Sequence, residues 1–358
     1  MHIDEVLKRM VEKKSSDTIL RVTCQPVLRI DGDLFPQPDM PVMTPDMLQD
    51  VFETITSPEQ RASFSRELEL DLAYSIAGVG RFRVNVMKQR GTLGFTFRLV
   101  PFNIPTIDDL KLPGICKDLI LKPRGLILVT GPTGSGKSTT LAAMIDYLNE
   151  KESRNVITIE DPIEFLHKNK KCIIAQRDLG DDTRSFDVAL SHALRQNPDV
   201  IVVGEMRDLA TISTAIRASE TGHLVLGTLH TTDAPQTIDR IIDIFQPEQQ
   251  QQIRLQVSQV IEAVLTQTLL PLAAGKGRVA AFEIMVANSA VRNLIRSGKT
   301  FELNSVMQIS SKDGMQTLDQ SLADLVRKRL VTSDEAMQKT SNPDRLQKLM
   351  QFNGVKPL

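Results

Sequence analysis

The sequence holds no tryptophan, two tyrosines and three cysteines among 358 residues. With aromatics at 4%, few rings are left on which bases could stack, which argues against a channel for single-stranded nucleic acid. Cys24, Cys116 and Cys172 are scattered, odd in number and without a C-x-x-C pair. That pattern excludes a four-cysteine zinc module and a disulfide framework, and fits reduced thiols in a cytosol. An excess of one charge is also missing: 43 Lys+Arg against 44 Asp+Glu leave −1, so the bulk balance attracts neither nucleic acid nor an anionic membrane. No apolar run approaches the roughly 20 residues of a membrane span. The charged opening "MHIDEVLKRMVEKKSSD" does not read as a signal peptide. The expectation is a cytoplasmic protein that is not integral to the membrane.

What is present suits a globular chain of about two domains. Residues 3–14 space apolar side chains as an amphipathic helix, and "TILRV" and "VLRIDG" read as strands. Thr44-Pro45 and Ser57-Pro58 mark helix starts. From 68 to 100 apolar and polar residues alternate around glycine turns, predicting an antiparallel meander. The first domain is therefore a small α+β unit over 1–100. Three prolines in 101–113 place the linker there, and 114–358 forms the second domain. In that second domain aliphatic runs at 126–130, 156–160, 200–204 and 224–228 alternate with helical patterns at 137–151, 185–195, 208–221 and 234–245. This rhythm predicts an α/β fold with a parallel sheet covered on both faces. A helical tail is expected after it, ending in a short helix at "NPDRLQKLMQF".

The stretch "RGLILVTGPTGSGKSTT" carries G-x-x-x-x-G-K-[ST] in full, between an aliphatic strand and a good helix. Its glycines let backbone N–H groups converge on phosphate oxygens, and the following helix adds its positive end. Gly131, Thr133, Gly134, Ser135, Gly136, Lys137, Ser138 and Thr139 are the expected nucleotide-binding residues. Lys137 is expected to reach the β- and γ-phosphates, and Ser138 to ligate Mg²⁺. The implied cofactors are ATP and Mg²⁺.

Phosphoryl transfer also needs carboxylates at neighbouring strand ends. "VIVVGEMRD" supplies Glu205, with Gly204 where such strands usually end in Asp; a helix-capping glutamate is the other reading of Glu205. "TIEDPIEF" clusters Glu160, Asp161 and Glu164 around Pro162. Glu164 is the candidate general base and Glu160 a supporting or nucleotide-site residue, against the plainer reading of a solvated acidic loop. His223 and His230 flank the run "LVLGTL", as γ-phosphate sensors or as structural histidines.

Together, "GPTGSGKSTT", "IEDPIEF", "VGEMRD" and "GHLVLGTLHTT" resemble the Walker A, Asp-box, atypical Walker B and His-box motifs of the secretion ATPases. "AVRNLIRSGK" at 290–299, followed by "GMQTLD", resembles the type IV pilus retraction members in particular. The resemblance implies a PAS-like N-terminal domain, a RecA-like ATPase domain and a homo-hexameric ring docked on an inner-membrane pilus platform protein, with a retraction paralogue as a possible partner. It also implies that arginines among Arg81, Arg83, Arg90 and Arg98 approach the nucleotide, Arg81, Arg83 and Arg98 being the candidates; a solvated strand face is the alternative. Arg292 and Arg296 lie four apart and share a helix face. The chain departs from the family at "SDTIL", which lacks a histidine, and at Val291.

Overall fold

The computed structural model describes residues 2–101 and 103–351. The chain forms two compact units, Met1–Asn103 with Glu164–Leu166, and Ile104–Ile163 with His167–Leu358.

In the first unit, α1 (Ile3–Glu12) buries Ile3, Val6, Leu7 and Met10 along one stripe. Strands β1 (Asp17–Leu20), β2 (Val27–Ile30) and β3 (Asp33–Pro36) follow, then α2 (Pro45–Ile55) and α3 (Pro58–Glu67). Thr44 caps α2 by accepting from the Met47 amide, and Ser57 and Gln60 cap α3 reciprocally. These bonds satisfy amides that the helix cannot pair internally. The expected meander is β4 (Glu69–Ile76), β5 (Gly80–Gln89) and β6 (Thr92–Val100). All pairs are antiparallel, in the order β3-β2-β1-β6-β5-β4. Phe82, Val84, Val86, Phe95 and Phe97 join the helices in one core.

The second unit opens with α4 (Ile115–Ile120), β7 (Gly125–Thr130), α5 (Lys137–Lys151) and β8 (Asn155–Glu160). It continues through β9 (Ile173–Asp178), α6 (Phe186–Ala193), β10 (Val200–Val203), α7 (Leu209–Glu220), β11 (Leu224–Leu229) and α8 (Ala234–Asp243). The sheet has seven strands in the order β13-β12-β7-β11-β10-β8-β9, parallel apart from its last hairpin. Every residue of β7, β10 and β11 is buried, because separate apolar clusters of helices cover each face.

One stretch departs from the expectation of a helical tail. After α9 (Pro247–Val260) the chain forms β12 (Ile261–Pro271) and β13 (Arg278–Val286), and β12 runs parallel beside β7. An apolar run such as "VLTQTLL" carries no period that separates a buried strand from a buried helix segment; pairing with β7 decides it. The helical region begins only afterwards, with α10 (Ser289–Arg296), α11 (Leu303–Ile309), α12 (Leu318–Arg327), α13 (Ser333–Met337) and α14 (Pro343–Gln351). Phe352, in the expected last helix, lies outside the described residues.

Candidate nucleotide site

The carboxyl end of β7 runs straight into the glycine-rich turn. Gly131 at φ +135°, Gly134 at +78° and Gly136 at +92° adopt left-handed conformations that L side chains resist. Space forbids a side chain as well: a Cβ on Gly131 would fall 2.2 Å from the Gln267 carbonyl oxygen, and one on Gly136 2.8 Å from Gln267 Nε2. Gln267 is the buttress of the loop. From β12, its Oε1 accepts from Thr140 Oγ1 at 2.8 Å, and beside it Thr266 and Thr130 share a hydroxyl bond of 2.8 Å. Neither residue stands out in the sequence, because both lie far along the chain on a strand without a recognisable motif.

Lys137 opens α5 and folds its ammonium onto the loop, donating to the carbonyls of Gly131 at 2.8 Å and Pro132 at 3.2 Å. Ser135 Oγ is buried and unpartnered. Thr133 and Gly134 are exposed; Ser138 and Thr139 are half-buried on the first turn of α5. An inward-facing hydroxyl without a partner, a lysine at the loop and a helix start fit the phosphates of a nucleotide. A hydroxyl at the second helical position, that of Ser138, would suit a Mg²⁺ ligand, and the ion would supply positive charge against the phosphates.

Three parallel strands present the remaining groups at the same edge. Leu229 pairs with Thr130, so His230 leaves β11 beside the point where Gly131 leaves β7. Glu205 follows β10, one strand beyond β11 and about 10 Å from β7 by strand spacing. His230 Nε2 lies 2.9 Å from Glu205 Oε1, while Arg207 grips both carboxylate oxygens, its Nη2 donating to Oε2 at 2.6 Å. Burial pushes the Glu205 carboxyl up, but the Arg207 bond and the charges of Arg207 and His230 outweigh it and hold Glu205 below its ordinary range. Glu205 is thus an ionised, oriented acceptor, suited to hold a metal-bound or attacking water, and it does not cap a helix. Gly204 explains the missing aspartate: a Cβ there would lie 3.0 Å from the Ile159 oxygen and 3.1 Å from Glu160 Cα. A side chain here would have to push two strand ends apart by a few tenths of an ångström.

The remaining expected residues divide between this edge and other parts of the chain. Glu160 ends β8 on the same edge, where Oε1 accepts from Thr158 Oγ1 at 2.6 Å and Gln176 Nε2 at 3.0 Å. Glu164 groups with the first unit, not with the strand edge that carries Glu160. His223 is not in the cluster. It precedes β11, at the opposite edge of the sheet and about 20 Å from the phosphate loop for a six-residue strand. Its Nδ1 lies 3.0 Å from the Ala218 carbonyl oxygen, where it closes the end of α7. Strand direction decides this, and a histidine on each flank of a run does not reveal it.

Arg81 and Arg83 are half-buried on β5 and Arg98 is exposed on β6. Arg83 faces Arg98, and Arg98 faces Asp17 in the next strand. Buried Asp17 accepts from Arg98 Nε at 2.8 Å and has Arg29 Nε at 3.9 Å. One carboxylate thus offsets the repulsion along a row of three arginines. Arg292 and Arg296, expected on one helix face, differ in their surroundings. Arg292 donates to the Ser258 and Gln259 carbonyls and to Glu262 Oε1 at 3.0, 2.8 and 2.8 Å, whereas Arg296 is exposed. Among the described residues no helix is long and apolar enough to cross a membrane, and no cluster of three metal-ligating side chains occurs.

Residues 112–338 match the model of the family described as type II/IV secretion system protein. The chain is 45% identical to the type IV pilus retraction ATPase PilT of Pseudomonas aeruginosa, over 96% of this chain and 99% of that one. It is 40% identical to the type IV pilus ATPase PilU of the same organism, over 94% and 88%. Among solved structures, that of the pilus retraction motor PilT with bound ADP superposes with a TM-score of 0.88 at 45% identity, covering 97% of this chain and 99% of that one. The chain belongs to the type II/IV secretion system protein family and, within it, to the nucleotide-binding ATPases of pilus retraction.

Proposed function

We propose that this ATPase uses Mg²⁺ and ATP to retract type IV pili as a homo-hexameric motor docked on an inner-membrane platform protein from the cytoplasmic side. The observation that carries the reading is the edge formed by Lys137, Ser138, Glu205 and His230, in a chain similar to retraction ATPases along nearly its whole length. Lys137 and the loop amides bind the phosphates, and Ser138, with Glu205 through water, holds the metal. Glu164 acts as general base, with Glu160 beside the nucleotide, and Arg81, Arg83 and Arg98 of a 1–100 domain, joined by the linker 101–113 to 114–358, supply positive charge.

The test is surface pilus content and twitching in cells lacking the protein and in cells carrying Lys137→Ala. Hyperpiliated, non-twitching cells in both strains are expected; bald cells would assign the work to extension. The accessory paralogue is the second reading, favoured by the 40% identity to PilU, and unchanged cells would support it.

A further inference from the structure

Glu283 sits on β13, 6% exposed, and takes no part in the phosphate loop or the Glu205 cluster. A carboxylate so deeply buried is costly unless strongly engaged. Its Oε1 accepts from the Ala234 amide at 2.7 Å, and the Leu318 amide lies on the other side, near enough to favour the charged carboxylate. Ala234 is the first residue of α8 and Leu318 the first of α12, so two helix N-termini, each carrying partial positive charge, converge on one side chain.

The position ties this junction to the hydrolytic edge. Glu283 pairs with Thr266, Thr266 with Thr130, and Thr130 with Leu229, one row across four strands immediately below the phosphate loop and His230. The loop from His230 to Asp233 is in turn bound to the first turns of α8. Thr231 and Thr237 share a hydroxyl bond of 2.7 Å, the Thr232 amide donates to Gln236 Oε1 at 2.9 Å, and Asp233 caps the helix. Whatever holds the start of α8 therefore sets where His230 meets Glu205.

We propose that Glu283 is a positioning residue for ATP hydrolysis: its carboxylate locks the first turn of α8, hence the loop carrying His230, to the first turn of α12. The inference rests on the ATPase reading and deepens it. Neighbouring carboxyl groups act on this lock. From α8 it faces Asp233, and from α12 Asp319, which is itself held by Thr340 Oγ1 and by Arg345 at 3.7 Å; β12 presents the neutral Thr266. Burial first, then the charges of Asp233 and Asp319, push Glu283 up to about 7 against the pull of the Ala234 and Leu318 amides. Ionisation makes the carboxylate the stronger acceptor toward both helix starts.

Steady-state ATPase of the purified full chain, with separate nucleotide-binding measurements, tests the lock in Glu283→Gln. The amide keeps one acceptor but turns a donor toward the second helix. Loss of that contact is expected to lower kcat about tenfold at alkaline pH while nucleotide affinity stays within about twofold. The wild-type kcat rises through neutral pH, whereas the variant's is flat, and the two converge in acid. A wild-type kcat and pH profile in Glu283→Gln overturns the proposal, as does a lowered melting temperature with kcat and profile unchanged. Should Glu283→Gln not fold, Glu283→Asp replaces it and is expected to keep the neutral ionisation with reduced kcat; an unreduced kcat overturns the proposal. A wild-type protein that binds nucleotide without hydrolysing it fails the ATPase reading itself, a result no Glu283 variant can mimic.

Discussion

At the residue scale, Lys137 bonds the carbonyls of its own loop, and those contacts are the ones a phosphate would replace. Its contribution is charge at one point, so Lys137→Ala is expected to weaken nucleotide binding at least about a hundredfold, read with a fluorescent ATP analogue. Unchanged affinity would remove the loop from the site. Glu164→Gln should bind ATP normally and hydrolyse it on the order of 10²–10⁴ times more slowly, the usual loss for a general base. Wild-type turnover in that variant would transfer the role to Glu205, already ionised and bonded to His230. Gly204→Ala tests why the strand ends without an aspartate. Its Cβ would press on backbone atoms of Ile159 and Glu160 at 3.0 and 3.1 Å. A loss of about 1–3 kcal/mol in chemical denaturation is expected, as for overpacking generally.

At the scale of elements, Arg292 is a clasp. It closes the end of α9 through two carbonyls and meets Glu262, which also takes Lys122 at 2.8 Å. Arg292→Ala should cost about 1–3 kcal/mol, as for lost bonds to a partly buried charged group, whereas Arg296→Ala should stay within about 0.5 kcal/mol. Comparable melting temperatures for the two variants would contradict the clasp. Two buried groups make opposite pH contributions to the same unit. Burial lowers His167 to about 4, and Glu283 is raised to about 7. Below its ordinary 6.5, His167 costs stability as pH falls toward 4, because the unfolded chain binds the extra proton. Glu283 runs the other way: its stability is full below 4.5 and is lost as pH rises toward 7, because the folded chain holds the proton. Each swing is about 3 kcal/mol, and the two offset one another between about pH 4.5 and 6.5. His167→Gln should therefore expose a stability that declines with pH across that window; a flat profile in the variant would show that Glu283 is already ionised in acid.

At the scale of the whole molecule, the strand order gathers the phosphate loop, Glu160, Glu205 and His230 at one edge of one sheet. Parallel strands β7, β11, β10 and β8 all point their carboxyl ends the same way, so residues far apart in sequence gather there. The hairpin β12–β13 then extends the sheet beside β7 and brings Gln267, Thr266 and Glu283 beneath the phosphate loop. The proposed ring would make force generation the property of an assembly larger than one chain. Sedimentation of the wild-type protein with ATP and Mg²⁺ is expected to show a six-subunit particle; a monomer under all nucleotide conditions would contradict the proposed ring.

Some of this is written in local sequence. The phosphate loop is legible because its chemistry needs glycines, a lysine and a hydroxyl at fixed spacing within eight residues, between a strand and a helix that each announce themselves. The same holds for the capped helices α2 and α3 and for the aliphatic strands, whose patterns are set by neighbours along the chain. Tertiary structure decided the rest. Strand β12 has no period of its own and is a strand because β7 pairs with it, so the buttress Gln267 was invisible until that pairing formed. His223 and His230 look equivalent in sequence, yet strand direction sends one to each edge of the sheet. Arg292 and Arg296 share a helical face, but only the first meets a helix end and a carboxylate. Local rules act through covalent spacing and read out directly, whereas partnership between distant segments depends on which surfaces pack together, and that is settled only when the whole core closes.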